Sequence, residues 1–543
     1  MNINVSNRDR FNILDLPNEI LFFIFEKLNM VHVLYSFVDI TQRFNRLVFD
    51  PFYIRKLNLT SMKMKSFFDR IYSIDDQILD KICTNILPQI DDQINELIVE
   101  QYSMERILHT INYPQLYSLT LMNFSEETLF NYLANDTMLR KLLAEQITCL
   151  QIDFKDYPTL PVPETLSVVF ALIIFLCKRL NKLNFSQSYG RATYCTFDLS
   201  STNFKSSTLT VLKIYVKTFD DCLYLLDGRF IFLSTLIIKT RTIQETSGTI
   251  DNTTKLPKLK QFSLKTYPHI LLYDSLIIPL LQRMINLENL KLYISIIRSN
   301  RNYIDGNQLY DDILIYMPRL NKFTFNIQTF VDKRNDEIIF SSNEDIQRSF
   351  NQKQYGSVGS YVETFTRENK YKCHHYSLPY EFKSRCHIYS LPYQFKDFDF
   401  VTNAFQGGMF NNVESVVITD CKPFEHNFFK LISGSFPRLK HLYIFNKEPM
   451  ENKEESISLI VFSHLIFLNI YTCHADYAEQ FLVDKHCHLP CLMNLEIEYE
   501  TLVLVTNNFT NDATRLTCSK LTNLRVQGPF VPPENFDEYF PLL

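Results

Sequence analysis

The chain has 543 residues with 46 Phe and 30 Tyr against only 10 Gly and no Trp, and carries a formal net charge of −5 with a pI near 6.2. So many aromatics and so few glycines exclude a low-complexity chain, and the absence of any dense Lys/Arg block excludes a strongly basic segment for gripping nucleic acid. The length exceeds the roughly 250 to 300 residues at which one core stops growing, so several domains or a repeat array are required.

The first residues, MNINVSNRDRF, lack the positive-then-apolar layout of a signal peptide. The longest apolar run, Leu166 to Cys177, is too short to span a membrane. These features predict a soluble intracellular protein, cytoplasmic or nuclear, with neither membrane nor nucleic acid as partner. The cysteines follow no framework of short regular spacings, so thiols rather than disulfides are expected.

After a tail at 1–13, Leu16 to Leu28 reads LPNEILFFIFEKL, with Leu16, Ile20, Leu21, Ile24, Phe25 and Leu28 at helical spacing. Pro17 suits a first helical position and Glu19 a first turn. A second apolar helix follows from Val31, and then Phe44, Leu47, Asp50, Pro51 and Leu57 fall in the order FxxLxxDPxxxxxL. Residues 14–60 thus resemble an F-box, with Phe52 and Tyr53 standing near the family's late Trp. The resemblance implies a three-helix unit that binds the Skp-type adaptor of a cullin–RING ubiquitin ligase, while the rest of the chain recruits a substrate. It places Leu16, Pro17, Ile20, Leu21, Ile24 and Leu28 on the adaptor-facing surface.

Residues 61–90 read as a linker. From about residue 91 a unit of the form apolar-x-x-apolar-x-apolar recurs, often after Pro: PQLYSLTL from Pro114, PKLKQFSL from Pro257, PRLNKFTF from Pro318, PRLKHLYI from Pro437 and PCLMNLEI from Pro490. Its first apolar residue falls at Leu180, Leu209, Leu233, Leu259, Leu287 and Leu320, then at Val413, Leu439, Leu465, Leu492 and Leu521, with Ile94 and Leu116 beginning the series. Helical segments such as ETLSVVFALIIFLCKRL from Glu164 lie between.

A strand with a returning helix cannot bury its apolar face alone, whereas stacked copies share one core. The pattern resembles the leucine-rich repeat, although the family's turn Asn is not maintained. The expected fold is α/β: a three-helix F-box followed by an irregular, curved leucine-rich-repeat-like solenoid over 91–543, with a parallel sheet on its concave face. The residue between the last two apolar positions of each unit points away from the core. Lys213, Lys291, Tyr443, Glu496 and Arg525 are accordingly the candidate face for a target protein.

The interval from Leu320 to Val413 is too long for one connection, and an excursion at about 328–386 is expected there. Ile388, Leu391 and Tyr393 fit the repeat template and predict one further unit. CHHYSLPYEFKSR from Cys373 is followed directly by CHIYSLPYQFKDF from Cys386, a tandem duplication whose extra copy is expected to bulge outward as a loop.

Cys473 and His474 with His486, Cys487, His488 and Cys491 are zinc-ligand types, but they form no clean Cys-x-x-Cys pairs, so buried thiols and surface imidazoles are the better reading and no metal is expected. The sequence contains no GxGxxG, GxxxxGK[ST], G-x-S-x-G or H-E-x-x-H motif, so no cofactor and no catalytic residue is expected. The expected function is the substrate-recognition subunit of a cullin–RING ligase, bound to a Skp-type adaptor and, through it, to a cullin. A leucine-rich-repeat interaction scaffold without a ligase role is the alternative.

Overall fold

The structure is a computed structural model and describes residues 13–61, 74–155, 163–185, 194–197, 205–243, 255–299, 301–332, 340–351, 355–364, 382–452, 458–528, 530 and 532–543. It is mixed α/β, with helices alternating with strands that are almost all parallel. Two compact units divide the chain: residues 1–240 with 247–251, and residues 241–246 with 252–543. Among the described residues no helix is long and apolar enough to cross a membrane.

In the first unit, strands β1 (Lys56–Leu59), β2 (Glu96–Glu100), β3 (Ser118–Phe124), β4 (Cys149–Phe154), β5 (Lys182–Phe185), β6 (Val211–Val216) and β7 (Thr235–Thr240) lie side by side in chain order, each parallel to the next. Their register stacks Leu57, Leu97, Leu119, Leu150, Leu183, Leu212 and Leu236 into one row, all fully buried. Two residues on, Leu59, Val99, Leu121, Ile152, Phe185, Ile214 and Ile238 form a second buried row. Each such side chain removed from water contributes on the order of 2 kcal/mol before entropy is counted.

The helices between these strands, including Glu126–Ala134 and Met138–Glu145, supply Leu129, Leu133, Leu139, Leu142 and Leu143 to the same core. Their starts are fixed by side chains: Ser125, Thr137 and Thr218 each accept a backbone N–H of the first turn.

A main-chain feature recurs along the runs of parallel strands. The carbonyl of the residue just before a strand accepts two successive N–H groups from the start of the next strand. Arg55 O takes Asn95 and Glu96 at 3.0 and 2.9 Å, Asn95 O takes Tyr117 and Ser118, and Tyr117 O takes Thr148 and Cys149. Thr148, Asn181 and Thr210 carry the pattern to β7, and in the second unit it recurs at Lys260, Glu288, Lys396, Glu414, Lys440, Ile466 and Met493. The bond needs no particular side chain, so the residues that make it share no type.

The N-terminal part of the first unit holds helices α1 (Asn18–Lys27), α2 (Met30–Phe37), α3 (Gln42–Val48) and α4 (Pro51–Ile54). Pro17 is the residue just before α1, one position earlier than the sequence suggested, and its carbonyl accepts the N–H groups of Ile20 and Leu21 at 3.1 Å. Asn29, Thr41 and Asp50 cap the other three helices. Phe25, Phe37 and Phe44 meet at ring separations of 5.1 to 6.4 Å to close the core. The stretch expected to be a linker, 61–90, is helical from Asp76 to Gln89 and buries Leu79, Ile82, Ile86 and Leu87. The last residues of the F-box-like segment form β1, which the apolar-x-x-apolar template did not reveal.

The second unit begins with longer strands, β8 (Gln261–Ile270), β9 (Asn289–Arg298) and β10 (Lys322–Asp332), again parallel. Two antiparallel strands follow, β11 (Ser357–Thr364) and β12 (Phe382–Leu391), with β12 between β10 and β11. A six-stranded parallel sheet comes next: β13 (Asp397–Val401), β14 (Ser415–Thr419), β15 (His441–Phe445), β17 (Phe467–Asn469), β19 (Asn494–Glu498) and β20 (Asn523–Gln527). The short strands β16 (Ile460–Val461) and β18 (Cys487–His488) pair apart from it.

Two expectations change here. Ile388, Leu391 and Tyr393 do not open a parallel repeat: Ile388 sits on β12 opposite Ile327 and runs antiparallel, and the parallel series resumes at β13. An alternating apolar pattern reads the same in either chain direction, so the template cannot report strand polarity. The duplicated segment does not bulge outward over its described part. β12 straddles the join of the two copies, and Cys386, His387, Ile388, Tyr393 and Phe398 are buried. Most of the first copy, through residue 381, lies outside the described residues. Gly359 on β11 faces the Tyr389 ring so closely that a Cβ would come within 2.3 Å of it, which explains a glycine in that strand.

Candidate functional site

The N-terminal helices expose an unusual share of apolar side chains. Ile20 and Leu28 are each 45 % exposed, Phe23 57 %, Ile40 63 % and Phe52 92 %. Pro17 is exposed as well, whereas Leu16 and Ile24 are half-buried. Leu21 is fully buried together with Phe25, so it anchors α1 to its own core and offers no surface. Phe23 and Ile40, which the resemblance did not single out, are exposed instead. Tyr53 is half-buried 6.1 Å from the Phe25 ring, while Phe52 points out.

Helix geometry accounts for this split. Leu21 and Phe25 are four residues apart and share the inward stripe, and Ile20 and Phe23 fall outside it. Arg43 fixes the approach to α1 by donating to the carbonyls of Leu14 and Leu16 and to Asn18 Oδ1, the last two at 2.6 and 2.7 Å. The apolar face is thus presented by a braced helix.

The five candidate residues of the sheet face all lie on the outward side of their strands and are half-buried. Tyr443, Glu496 and Arg525 fall in one row with Val417 and Asn469. Lys291 occupies a different row of the second unit, between Ser263 and Thr324. Lys213 belongs to the first unit, in a row with Asn184 and Ile237.

In the row of Glu496, Asn469 Nδ2 and Gln527 Nε2 donate to its carboxylate at 2.7 and 3.0 Å, and the Arg525 guanidinium lies 3.6 Å away. The Tyr443 ring packs 5.2 Å from Phe467. This face therefore joins an aromatic half to a hydrogen-bonded polar half. Asn469, Gln527 and Phe467 were missed in the sequence, although each occupies the same parity position as the residues that were found.

Residues Lys447, Tyr471, Thr472, Cys473, His474 and Glu498 line a hollow of about 310 Å³ near the carboxyl ends of β15, β17 and β19. Its thiol is unreactive: Cys473 Sγ donates to Ile444 O at 2.8 Å, and burial pushes its pKa up to about 12. His474 caps the helix Ala475–Leu482, and Cys487 is buried on β18. Among the described residues no three His, Cys, Asp or Glu side chains gather to hold a metal ion. No protein-family model matches the chain, and no curated protein matches it in sequence.

Proposed function

We propose that the chain is a substrate-recognition subunit of a cullin–RING ubiquitin ligase. Its N-terminal helices dock a Skp-type adaptor and its strand repeats hold a target protein. The observation that carries this reading is the exposure of five apolar side chains, Ile20, Phe23, Leu28, Ile40 and Phe52, on and between helices that bury Leu21, Phe25 and Phe44 in a core of their own. Apolar surface left in water after a core has closed marks an interaction site. The F-box resemblance of 14–60 and the continuation of the repeats in a curved solenoid belong to the same proposal. Its contribution to the reaction is proximity: a held target meets the charged enzyme at high effective concentration without bond chemistry by this chain.

Co-purification of the full chain with a Skp-type adaptor and cullin tests the proposal. The wild type should form a stable complex, and Ile20→Ala with Leu28→Ala should lose it while circular dichroism stays unchanged. No binding where a control F-box binds would favour the second reading, a repeat scaffold without a ligase role, which the repeated strand architecture alone supports.

A further inference from the structure

Register in the second unit brings together lysines that the linear sequence separates. Lys322 at the start of β10 is exposed and Lys291 on β9 is half-buried, diagonal neighbours on one face. Lys265 on β8 is one strand over from Tyr293 in the register, with its ammonium 4.3 Å above that ring. It is ion-paired with Asp397 of β13. Asp397 is in turn one strand from Ser415 and two from His441. Lys396 and Lys440 both reach Glu414, at 3.2 and 3.4 Å, and Lys260 reaches Glu288 at 3.1 Å.

Within this belt each carboxylate is occupied: Asp397 by Lys265, Glu414 by two lysines, Glu288 by Lys260. Lys291 and Lys322 form no ion pair among the described residues, and burial together with the nearby Lys322 charge holds the Lys291 pKa below its usual value. Two adjacent ammonium groups without a counter-charge are unfavourable in the free chain, and a carboxylate brought from outside relieves them.

We propose that the outward face centred on Lys291 and Lys322 docks an acidic segment of a partner protein, its carboxylates meeting these two lysines. The half-buried Phe395 ring, which packs 5.2 Å from the buried Tyr293 ring beside Lys265, gives such a segment an apolar contact. A peptide is favoured over nucleic acid because the belt is short and interrupted by Asp397 and Glu414, which repel a continuous phosphate backbone. This inference concerns the second unit and does not depend on adaptor docking by the N-terminal helices.

The test uses the full chain and a fluorescein-labelled oligoglutamate peptide, followed by fluorescence anisotropy at low and at high salt. Wild type should bind at low salt and weaken as salt rises. Lys291→Glu with Lys322→Glu should weaken binding about tenfold or more. Lys182→Glu with Lys217→Glu, an equal charge change in the first unit, should leave binding within about twofold. If the reversal disturbs folding, the neutral pair Lys291→Gln with Lys322→Gln should still weaken binding about threefold. Absence of wild-type binding, an equal loss in the control pair, or unchanged binding in both variants at 291 and 322 would overturn the proposal. Tighter binding of oligothymidylate through the same lysines would also overturn it, in favour of a nucleic-acid site.

Discussion

In the first unit one residue type at one register position, Leu57 through Leu236, closes the core strand after strand. Between β10 and β13 the second unit does the reverse and buries a set of polar side chains that occur once. Arg385, fully buried, donates to Phe400 O at 2.6 Å, Tyr361 Oη at 3.1 Å and Thr402 Oγ1 at 3.2 Å, and lies 3.3 Å from the Glu363 carboxylate. His387 sits between Tyr361 Oη and Asn326 Oδ1 at 3.1 and 3.0 Å. Tyr293 Oη donates to Asp399 at 2.7 Å. Phe400 takes a left-handed backbone, φ +60°, which turns its carbonyl toward Arg385.

The difference lies in how each region distributes its dependence. A leucine row rests on many equal contributions, so one loss is local. A buried network is conditional, because each polar group is tolerated only while its partners remain.

The largest expected effect breaks the network at its centre. Arg385→Met leaves Glu363 buried without its cation, and burial already raises the Glu363 pKa against the opposing pull of Arg385. Urea unfolding followed by circular dichroism should show a loss of about 3 to 5 kcal/mol, most of it recovered in the double variant Arg385→Met with Glu363→Gln. A double variant no more stable than the single one would mean that packing rather than charge governs the site.

Next comes the leucine row. Leu150→Ala should cost about 3 kcal/mol through lost burial and a residual cavity. A similar cost at Leu97 or Leu183 would show that the row is uniform, and a much larger value at one position would expose a hidden dependence.

Acid sharpens the contrast further. Burial holds the His269 pKa at about 3 instead of 6.5, and burial with the nearby Arg385 charge also lowers His387. Below pH 6.5 the unfolded chain takes up protons that the folded chain refuses, so stability is full above that pH and falls as the pH drops toward 3. Each such histidine contributes a slope of about 1.4 kcal/mol per pH unit in that window, and His269→Gln should remove one share. The smallest effect is at the capping box of helix Phe219–Leu225, where Thr218→Ala should cost about 1 kcal/mol by thermal unfolding.

These two regions were unequally legible. The repeat spacing located most strands of both units because period-two burial and Leu preference are written in local sequence. It missed β4, whose unit opens on Ile147 without a preceding Pro, and β1, hidden inside the helical N-terminal segment. The direction of β12 escaped, although Ile388 and Leu391 located the strand, because polarity leaves no local trace. The set of lysines escaped because its six members come from five repeats and meet only through register. At the N-terminus, helical spacing found the apolar residues but could not divide inward Leu21 from outward Ile20, since both belong to the same run.

The paired N–H groups received by the carbonyl ahead of each strand bear on how this chain could have lengthened. Within each run of parallel strands, from β1 to β7, β8 to β10 and β13 to β20, a unit offers its follower the same fixture that it takes from its predecessor, and the fixture is main chain alone. A whole unit copied or deleted therefore leaves both neighbours with a matching joint, whatever side chains they carry. Gene-level duplication would be accepted in steps of one repeat, and change of the exposed face can proceed unit by unit without renegotiating the frame that holds it.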